Sequence, residues 1–286
     1  MDVCNIKDIK ALLGRHGFHF SKSMGQNFLI ESWVPEDIAA ASGATKDSCV
    51  LEIGPGIGPL TRQLSDRAGK VVAVELDRTL LPILAETLEG LNNVEIVSGD
   101  IMKVDLPALV AEKFCGLKPM ACANLPYNIT SPVLTALIES GCFSAITVMI
   151  QREVALRICA APGTSDYGAF SVFCQYHTTP ELLFDVPNTC FIPAPKVTSS
   201  VIRLVPRPKL AEVEDESFFF RVVHAAFAQR RKTLLNSLSS ALGQPFSREM
   251  VSDAIAACSL PPDVRGERLG IREFARIAHV LKEYTV

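Results

Sequence analysis

A series of short apolar runs, most of them followed by a stretch with helical spacing, constrains the fold of this chain more than any other feature. The runs have the length of buried strands, and their alternation with helical patterns of about 10–15 residues indicates βαβ units. They lie at residues 49–53, 71–75, 94–100, 119–123 and 145–150. Residues 167–176 and 197–205 are predicted to be the last strands or their approaches. The predicted fold class is therefore α/β, with a parallel sheet.

The segments on either side of these runs predict further elements. Helical spacing predicts one helix at residues 6–18 and another at 33–42. Between them, the polar, basic and glycine-containing segment Ser21–Leu29 predicts a loop or an extended arm. Near Pro206 the pattern changes, and from about residue 216 apolar residues recur at helical spacing alone. We therefore predict two domains, residues 1–206 with the sheet and the arm, and a smaller all-helical domain at residues 207–286.

Composition narrows the classes of protein to which this chain can belong. Its 286 residues are 48% hydrophobic and 21% charged, which is enough for a large domain and a smaller one. No apolar run approaches the roughly 18 residues of a membrane span, and the charged start of the chain does not resemble a signal peptide. Nine scattered cysteines without a Cys-x-x-Cys pair argue against a disulfide framework or a metal site, and favour a reducing cytoplasmic compartment.

Charge is unevenly distributed along the chain, although the net charge of -3 does not by itself predict a polyanionic partner. Residues 207–286 hold 12 Lys and Arg against 10 Asp and Glu, whereas residues 1–206 hold 16 against 21. A nucleic acid would therefore have to bind a local patch. The run Arg230-Arg231-Lys232 is a candidate for phosphate contacts from the first C-terminal helix, and the alternative is a solvated helix face.

The glycine loop after the first run predicts the kind of cofactor. A dinucleotide site requires Gly-x-Gly-x-x-Gly, but this loop reads Gly54-Pro-Gly56-Ile-Gly58 and follows the acidic residue Glu52. That arrangement is the tight turn common to S-adenosylmethionine sites, in which glycine lets the backbone approach the amino-acid end of the cofactor. The predicted sheet is therefore that of a Rossmann-like, S-adenosylmethionine-dependent methyltransferase.

Polar residues at three successive strand ends support a site for this cofactor. Glu75 ends the second run and is placed to accept both ribose hydroxyls, and Asp100 ends the third and is placed to accept from the adenine amine. Asn124 follows the fourth run. Ligands of open α/β sheets bind at the carboxyl ends of the strands, so these side chains should converge on one crevice. The alternative, favoured for each acid taken alone, is a solvated loop residue, and the recurrence at three successive strand ends argues against it.

The stretch Asn124-Leu125-Pro126-Tyr127 is the candidate catalytic segment. Pro126 has no amide hydrogen and should end the strand abruptly. The Asn124 side chain and a carbonyl of Leu125 or Pro126 then offer acceptors, and Tyr127 offers a flat ring, as a planar base with an exocyclic amine requires. The alternative is a strand-to-helix turn with a core tyrosine. Phe191, in a proline-rich loop, is a candidate for the opposite face of the base or, alternatively, a core residue.

With these residues assembled, the sequence resembles the KsgA/RsmA family of small-subunit ribosomal RNA adenine dimethyltransferases over most of its length. The most specific motifs are Gln26-Asn-Phe-Leu29, Asn124-Leu-Pro-Tyr127 and Phe191-Ile-Pro-Ala-Pro-Lys-Val197, and the resemblance continues through Arg230-Arg-Lys-Thr-Leu234. Met24 departs from it, since the family usually has Leu or Phe there, and so does Gly266, where proline or alanine is common.

The resemblance implies an activity, a cofactor and a partner. The expected reaction transfers methyl groups from S-adenosylmethionine to two adjacent adenines of the 3′-terminal hairpin loop of small-subunit (16S) RNA, two on each, in a pre-30S particle. The implied cofactor contacts are Asn27, Leu29, Gly54, Glu75, Asp100 and Asn124. We expect a monomer without a metal. Two alternatives remain open at this stage: a large-subunit adenine methyltransferase of the macrolide-resistance type, and an assembly checkpoint factor that acts chiefly by binding.

Overall fold

The structure, a computed structural model, describes residues 1–20 and 25–284. Part of the predicted arm, including Met24, lies outside these residues. The chain divides into two compact units: a sheet unit of residues 1–155 and 180–206, and a helical unit of residues 156–179 and 207–286. The two-domain prediction places a boundary at residue 207, where the structure also divides the chain. The structure further assigns residues 156–179 to the helical unit, because Tyr167, Val172 and Tyr176 are buried in the helical core.

Within the described residues, the strands of the sheet unit number nine and are named in chain order. They are β1 (Phe28–Leu29), β2 (Ser48–Ile53), β3 (Lys70–Glu75), β4 (Val94–Ser98), β5 (Lys118–Asn124), β6 (Ile146–Gln151), β7 (Thr178–Val186), β8 (Phe191–Ile192) and β9 (Ser199–Pro206). Seven of them form one sheet in the order β4-β3-β2-β5-β6-β9-β7, and β1 pairs with β8. The five runs predicted to be strands are β2 to β6, which pair in parallel. The predicted α/β class is confirmed, and the sheet is parallel from β2 to β6, whereas β9 pairs antiparallel with β6 and makes the whole sheet mixed.

In the part of the chain that the structure describes, seven α-helices connect these strands or precede them. They are α1 (Ile6–Arg15), α2 (Trp33–Ser42), α3 (Pro59–Arg67), α4 (Leu81–Thr87), α5 (Leu106–Lys113), α6 (Thr130–Glu139) and α7 (Arg152–Cys159), which runs into the helical unit. Every residue of the inner strand β2 is buried, as expected for a parallel strand covered on both faces. The predicted helices at 6–18 and 33–42 are confirmed as α1 and α2.

One predicted strand is wrong, since residues 167–176 form most of a helix, α8 (Ala169–His177), and the strand β7 follows it. Val172 and Tyr176 are both fully buried and are four residues apart, which is helical spacing rather than the alternation of a strand. Aromatic and β-branched residues in this segment favoured a strand locally, but packing in the helical unit determines its structure.

Up to residue 284, where the described residues end, the helical unit is completed by four α-helices, α9 (Glu216–Phe227), α10 (Leu234–Leu242), α11 (Arg248–Ala257) and α12 (Ile271–Glu283). Its core contains Phe219, Leu238 and Phe274, each fully buried. The prediction that residues beyond 216 are helical is therefore confirmed. None of the helices in the described part of the chain is long and apolar enough to cross a membrane.

Candidate functional site

A cavity in the sheet unit lies at the carboxyl ends of the parallel strands β2, β3 and β5. Its walls come from the glycine loop after β2, the residues after β3 and β4, the segment Gly25–Leu29, and residues 124–129 after β5. All six predicted cofactor residues line it: Asn27, Leu29, Gly54, Glu75, Asp100 and Asn124. The expected convergence of successive strand ends on one crevice is therefore what the structure shows.

The glycine loop after β2 forms one wall of the cavity. Gly56 and Gly58 have φ values of 63° and 91°, in the left-handed region that favours glycine. A Cβ atom on Gly56 would lie 3.3 Å from the ring of Phe28, and one on Gly58 would lie 2.9 Å from a methyl group of Leu88. The loop is thus packed tightly against Phe28 of the cavity lining and against Leu88, and the α3 helix begins directly after it with Pro59 at its first turn.

Glu75 is held at the end of β3 by backbone amides. The Asp77 amide donates to Oε1 at 2.8 Å, and the Gly56 amide donates to Oε2 at 3.4 Å. The residue is only 5% exposed, and this burial raises the pKa of the Glu75 carboxyl. The neighbouring Asp77 accepts from the Gln26 side chain at 2.6 Å, which joins the Gly25–Leu29 segment to the cavity rim. Asp77 was missed as a positioning residue by sequence reasoning.

Asp100 offers its carboxylate in a more open position. Its Oδ1 accepts from the Met102 amide at 3.0 Å and caps a short 3-10 helix, and Lys103 Nζ lies 3.9 Å from Oδ2. The side chain is partly exposed at the cavity. Asp100 therefore keeps accepting capacity toward the cavity, because a carboxylate has about four acceptor sites.

Glu52 is a third carboxyl group at the cavity, and sequence reasoning did not assign it to the site. It is 1% exposed, and Oε2 has no hydrogen-bond partner among the described residues. Burial, reinforced by the charge of Glu75, raises the pKa of Glu52 to about 8. The signal was in the sequence, since an acidic residue within a strand that is otherwise buried needs a partner or a proton.

Asn124 ends β5 with its two polar atoms differently placed. Its Nδ2 donates to the Asn27 carbonyl at 3.5 Å, which leaves the side-chain oxygen Oδ1 as the group that can accept. The Leu125 amide donates to the Met149 carbonyl at 3.1 Å, so the backbone stays anchored to β6 past the end of β5. Asn124 is thus fixed from both directions at the cavity wall.

The two candidate carbonyls after Asn124 are not equivalent. The Pro126 oxygen accepts from the Ile129 amide at 3.2 Å and from the Thr130 hydroxyl at 3.2 Å. Because a carbonyl has two lone pairs, these donors occupy Pro126, and Leu125 is the carbonyl of the pair that we retain as a candidate.

Tyr127 lines the cavity beside Asn124, at the start of a one-turn 3-10 helix. Its hydroxyl lies 2.7 Å from the hydroxyl of Ser199, and partial burial raises the pKa of Tyr127. The ring is therefore part of the cavity wall, with its far end held by strand β9.

Phe191 does not lie at this cavity, and the prediction that it faces the substrate base is corrected by the structure. The pairing of β8 with β1 places Phe191 opposite Leu29, and the residue is 3% exposed in a core with Val34 and Cys190. Phe28 does line the cavity, packed against Phe20 at a ring distance of 5.1 Å. Sequence reasoning overlooked Phe28, although it stands in the Gln-Asn-Phe-Leu motif.

The predicted phosphate contacts lie in the helical unit, in the turn between α9 and α10 rather than in a helix. Arg230 Nε pairs with Glu267 Oε2 at 3.3 Å, and Nη2 donates to the carbonyls of Tyr167, at 3.1 Å, and Ser165. Within the described residues, the exposed side chains of Arg231 and Lys232 form no hydrogen bond or ion pair. The three cations are therefore not equivalent, since Arg230 holds the turn in place and the other two face solvent.

Comparison with known proteins identifies the family. The family model for ribosomal RNA adenine dimethylase matches residues 17–267. The chain belongs to this family. It is 47% identical over 271 residues to ribosomal RNA small subunit methyltransferase A of Alkaliphilus metalliredigens, with 94% of each chain covered. It is also 47% identical over 285 residues to the protein of that name from Geobacillus thermodenitrificans, covering 98% of this chain and 97% of the relative.

Two solved structures are similar over nearly the whole fold. A dimethyladenosine transferase from Plasmodium falciparum has a TM-score of 0.73 at 24% identity, covering 90% of this chain and 98% of that one. The 23S rRNA methyltransferase ErmE has a TM-score of 0.67 at 27% identity, covering 89% and 99%. Both likenesses support the predicted methyltransferase fold.

As a member of this family, the chain is an rRNA adenine dimethylase that uses S-adenosylmethionine. The cavity fits this donor: Gly54 and Gly56 bring backbone to its wall, and the carboxyl groups of Glu75 and Asp100 can accept from hydroxyl and amine groups. Among the described residues, no group of three His, Cys, Asp or Glu is arranged to hold a metal ion.

Proposed function

We propose that this protein methylates the N6 amines of two adjacent adenines in the 3′-terminal hairpin loop of 16S rRNA, placing two methyl groups on each during small-subunit assembly. The observation that carries the proposal is Asn124, whose amide nitrogen is committed to Asn27 and whose Oδ1 remains to accept from an amine. The names of the two relatives at 47% identity support the small subunit as the source of the RNA.

The donor side of the cavity is assigned to the residues of the strand ends. Glu75 accepts the ribose hydroxyls, and its two amide contacts keep the carboxylate in one orientation before the donor arrives. Asp100 accepts from the donor's adenine amine, and Gly54 together with Asn27 and Leu29 contacts its amino-acid end. S-adenosylmethionine supplies a methyl group on a sulfonium, which is an electrophile without further activation.

The acceptor side is assigned to Asn124, Leu125, Pro126 and Tyr127. The adenine amine is a weak nucleophile because its lone pair is delocalised into the ring. Acceptance of its hydrogens by Asn124 Oδ1 and the Leu125 carbonyl draws the nitrogen toward tetrahedral geometry and directs the lone pair toward the methyl group. Pro126 ends the strand so that these acceptors stand at its edge. The proton leaves after transfer, so no strong base is needed.

Orientation provides most of the rate acceleration in this mechanism. Holding two reactants in the correct geometry contributes up to about 7–11 kcal/mol. Stacking on Tyr127 adds about 1–3 kcal/mol toward holding a base that is turned out of its strand. Since Phe191 is in the core, Tyr127 is the stacking ring that we retain beside Asn124.

The RNA backbone is assigned to the helical unit, through Arg231 and Lys232. Both side chains are exposed, and a turn that Arg230 fastens through Glu267 presents them to solvent. Cations that contact phosphates contribute affinity that falls as salt rises, because binding releases counterions from the RNA.

A large-subunit target is the second candidate, favoured by the similarity to the structure of ErmE. The experiment that separates the two measures transfer of labelled methyl groups to both ribosomal subunits purified from cells that lack the modification. Incorporation into the small subunit, with a large subunit that stays unlabelled, supports the proposal. Incorporation into the large subunit alone, or none into either with folded protein, contradicts it.

A role as an assembly checkpoint is tested in cells that lack this protein and are given the Asn124→Ala variant. If the Asn124→Ala variant restores subunit assembly in cells without methylating the RNA, binding outweighs chemistry in the biological role. If the variant restores neither subunit assembly nor methylation, the biological role depends chiefly on methyl transfer.

A further inference from the structure

Tyr127 is fixed at one end by its backbone. The Leu125 amide donates to Met149 on β6, and the Pro126 carbonyl accepts from Ile129 and Thr130, so the chain leading to the ring is held on both sides. The ring itself still turns about its side-chain bonds unless its far end has a partner. That partner is Ser199, whose hydroxyl lies 2.7 Å from the tyrosine hydroxyl.

Ser199 is placed to act as a rigid anchor. It is the first residue of β9, it is fully buried, and it pairs with Gln151 at the carboxyl end of β6. The adjoining Thr198 carbonyl accepts from the Arg152 amide at 3.0 Å, which closes the strand end. Ser199 does not line the cavity, so any influence on the substrate must pass through Tyr127.

We propose that Ser199 is a positioning residue for methyl transfer, which sets the orientation of the Tyr127 ring through the hydroxyl pair and thereby the plane in which the substrate adenine stacks. This inference rests on the assignment of Tyr127 as the stacking ring in the proposed function. It gives a role to Ser199, two residues beyond the Phe191–Val197 motif, that neither the cavity lining nor Phe191 accounts for.

The chain provides a matched control in the next residue. Ser200 is also fully buried in β9, but its hydroxyl donates to Asp185 Oδ1 at 2.5 Å, away from Tyr127. Ser200→Ala therefore removes a buried serine hydroxyl and a hydrogen bond to a charged partner, while the tyrosine keeps its anchor. A general loss of stability should affect both variants alike, whereas positioning should affect Ser199→Ala alone.

The first measurement needs no RNA. The chain has 4 tyrosines, so protein labelled with ¹³C in the tyrosine rings gives few NMR signals, and Tyr127→Phe identifies that of Tyr127. We expect Ser199→Ala to move the Tyr127 ring signals and Ser200→Ala to leave them in place. Tyr127 signals that are unchanged in Ser199→Ala would overturn the proposal, whatever the protein methylates.

The second measurement is steady-state methyl transfer to small-subunit particles. Ser199→Ala and Tyr127→Phe should each lower kcat/KM about three- to tenfold, the range of one hydrogen bond. The double variant should be no less active than the less active of the two single variants. Donor affinity should stay within about twofold, and Ser200→Ala should keep the kcat/KM of the unsubstituted protein. Multiplied effects in the double variant, equal losses in the two serine variants, or full activity of Ser199→Ala would each overturn the proposal.

The two measurements separate this proposal from the proposed function. If the unsubstituted protein methylates neither subunit, the proposed function fails, and Ser199 loses its role in transfer even if the NMR signals move. If the protein is active and the signals move but kcat/KM does not, the failure is that of the positioning role alone.

Discussion

The cavity of the sheet unit and the turn between α9 and α10 hold the two sets of predicted functional residues in opposite ways. In the cavity, Glu75, Asn124 and Tyr127 each have a partner that fixes them from behind. In the turn, Arg230 alone is fastened, and Arg231 and Lys232 face solvent. Chemistry that depends on orientation requires the first arrangement. Contact with a phosphate backbone, which is repetitive and solvated, is compatible with the second.

The largest effect should follow from removing the amide of Asn124. Asn124→Ala deletes a preorganised acceptor at the reacting amine, and we expect methyl transfer to fall about 100- to 1000-fold. Single-turnover kinetics with saturating donor measure this loss. Asn92→Ala, an exposed asparagine of the sheet unit outside the cavity, is the matched control and should keep the normal rate. A normal rate in Asn124→Ala would refute its catalytic assignment.

A smaller effect is expected at Glu75, because it concerns binding rather than the reacting centre. Glu75→Ala removes hydrogen bonds from a charged acceptor, which are worth about 1.5–3 kcal/mol, so donor affinity should fall about 10- to 100-fold. Calorimetric titration of donor into the protein measures the change, with the exposed Glu89→Ala as control. Donor affinity equal to that of the control would remove Glu75 from the cofactor site.

Glu52 makes the free energy of unfolding of the sheet unit depend on pH. Its pKa is about 8 in the folded protein and about 4.5 when unfolded, so the folded state holds the proton more tightly. The stabilisation is complete below pH 4.5 and is lost as pH rises through 8, with a slope of at most about 1.4 kcal/mol per pH unit. Urea unfolding of donor-free protein at pH values from about 5 to about 8, which lie between the two pKa values, measures this loss of stability.

Glu52→Gln should flatten that slope, since glutamine has a similar shape and does not titrate. Glu75 also has a raised pKa and will leave a residual slope of the same sign. If Glu52→Gln and the unsubstituted protein lose stability in parallel as pH rises, Glu52 is not the source of the dependence.

The smallest effects are expected in the turn. Arg231→Gln and Lys232→Gln should each reduce the dependence of log affinity on log salt concentration by about 0.7, without altering the rate at saturating RNA. Filter-binding titrations at several salt concentrations measure the slope. An unchanged slope in the double variant would remove the phosphate contacts from this turn.

Arg230→Gln sharpens the comparison within the same tripeptide. We expect it to lower the free energy of unfolding by about 0.5–1.5 kcal/mol, through loss of the contacts to Glu267 and Tyr167, and to change the salt slope less than either neighbour does. A slope that falls as much as in Arg231→Gln, with full stability, would return Arg230 to the phosphate contacts.

The same contrast explains what the sequence predicted. Strand ends in a parallel sheet converge by topology, so Glu75, Asp100 and Asn124 could be placed together from their spacing alone. The direction of a side chain in an irregular segment depends on distant pairing, which local patterns do not contain. Phe191 is therefore in the core because β8 meets β1, and Arg230 is fastened because Glu267 lies beside it. The helix at 169–177 was missed for a similar reason, since its burial is set by the helical unit.

Mass spectrometry of nuclease digests tests the central claim most directly. Small subunits lacking the modification are incubated with the protein and S-adenosylmethionine, and the RNA fragments are mapped for position and number of methyl groups. The account predicts dimethylated adenines at two adjacent positions of the 3′-terminal hairpin loop, and none with Asn124→Ala. Methyl groups at another position, on another base atom, or undiminished with Asn124→Ala would contradict it.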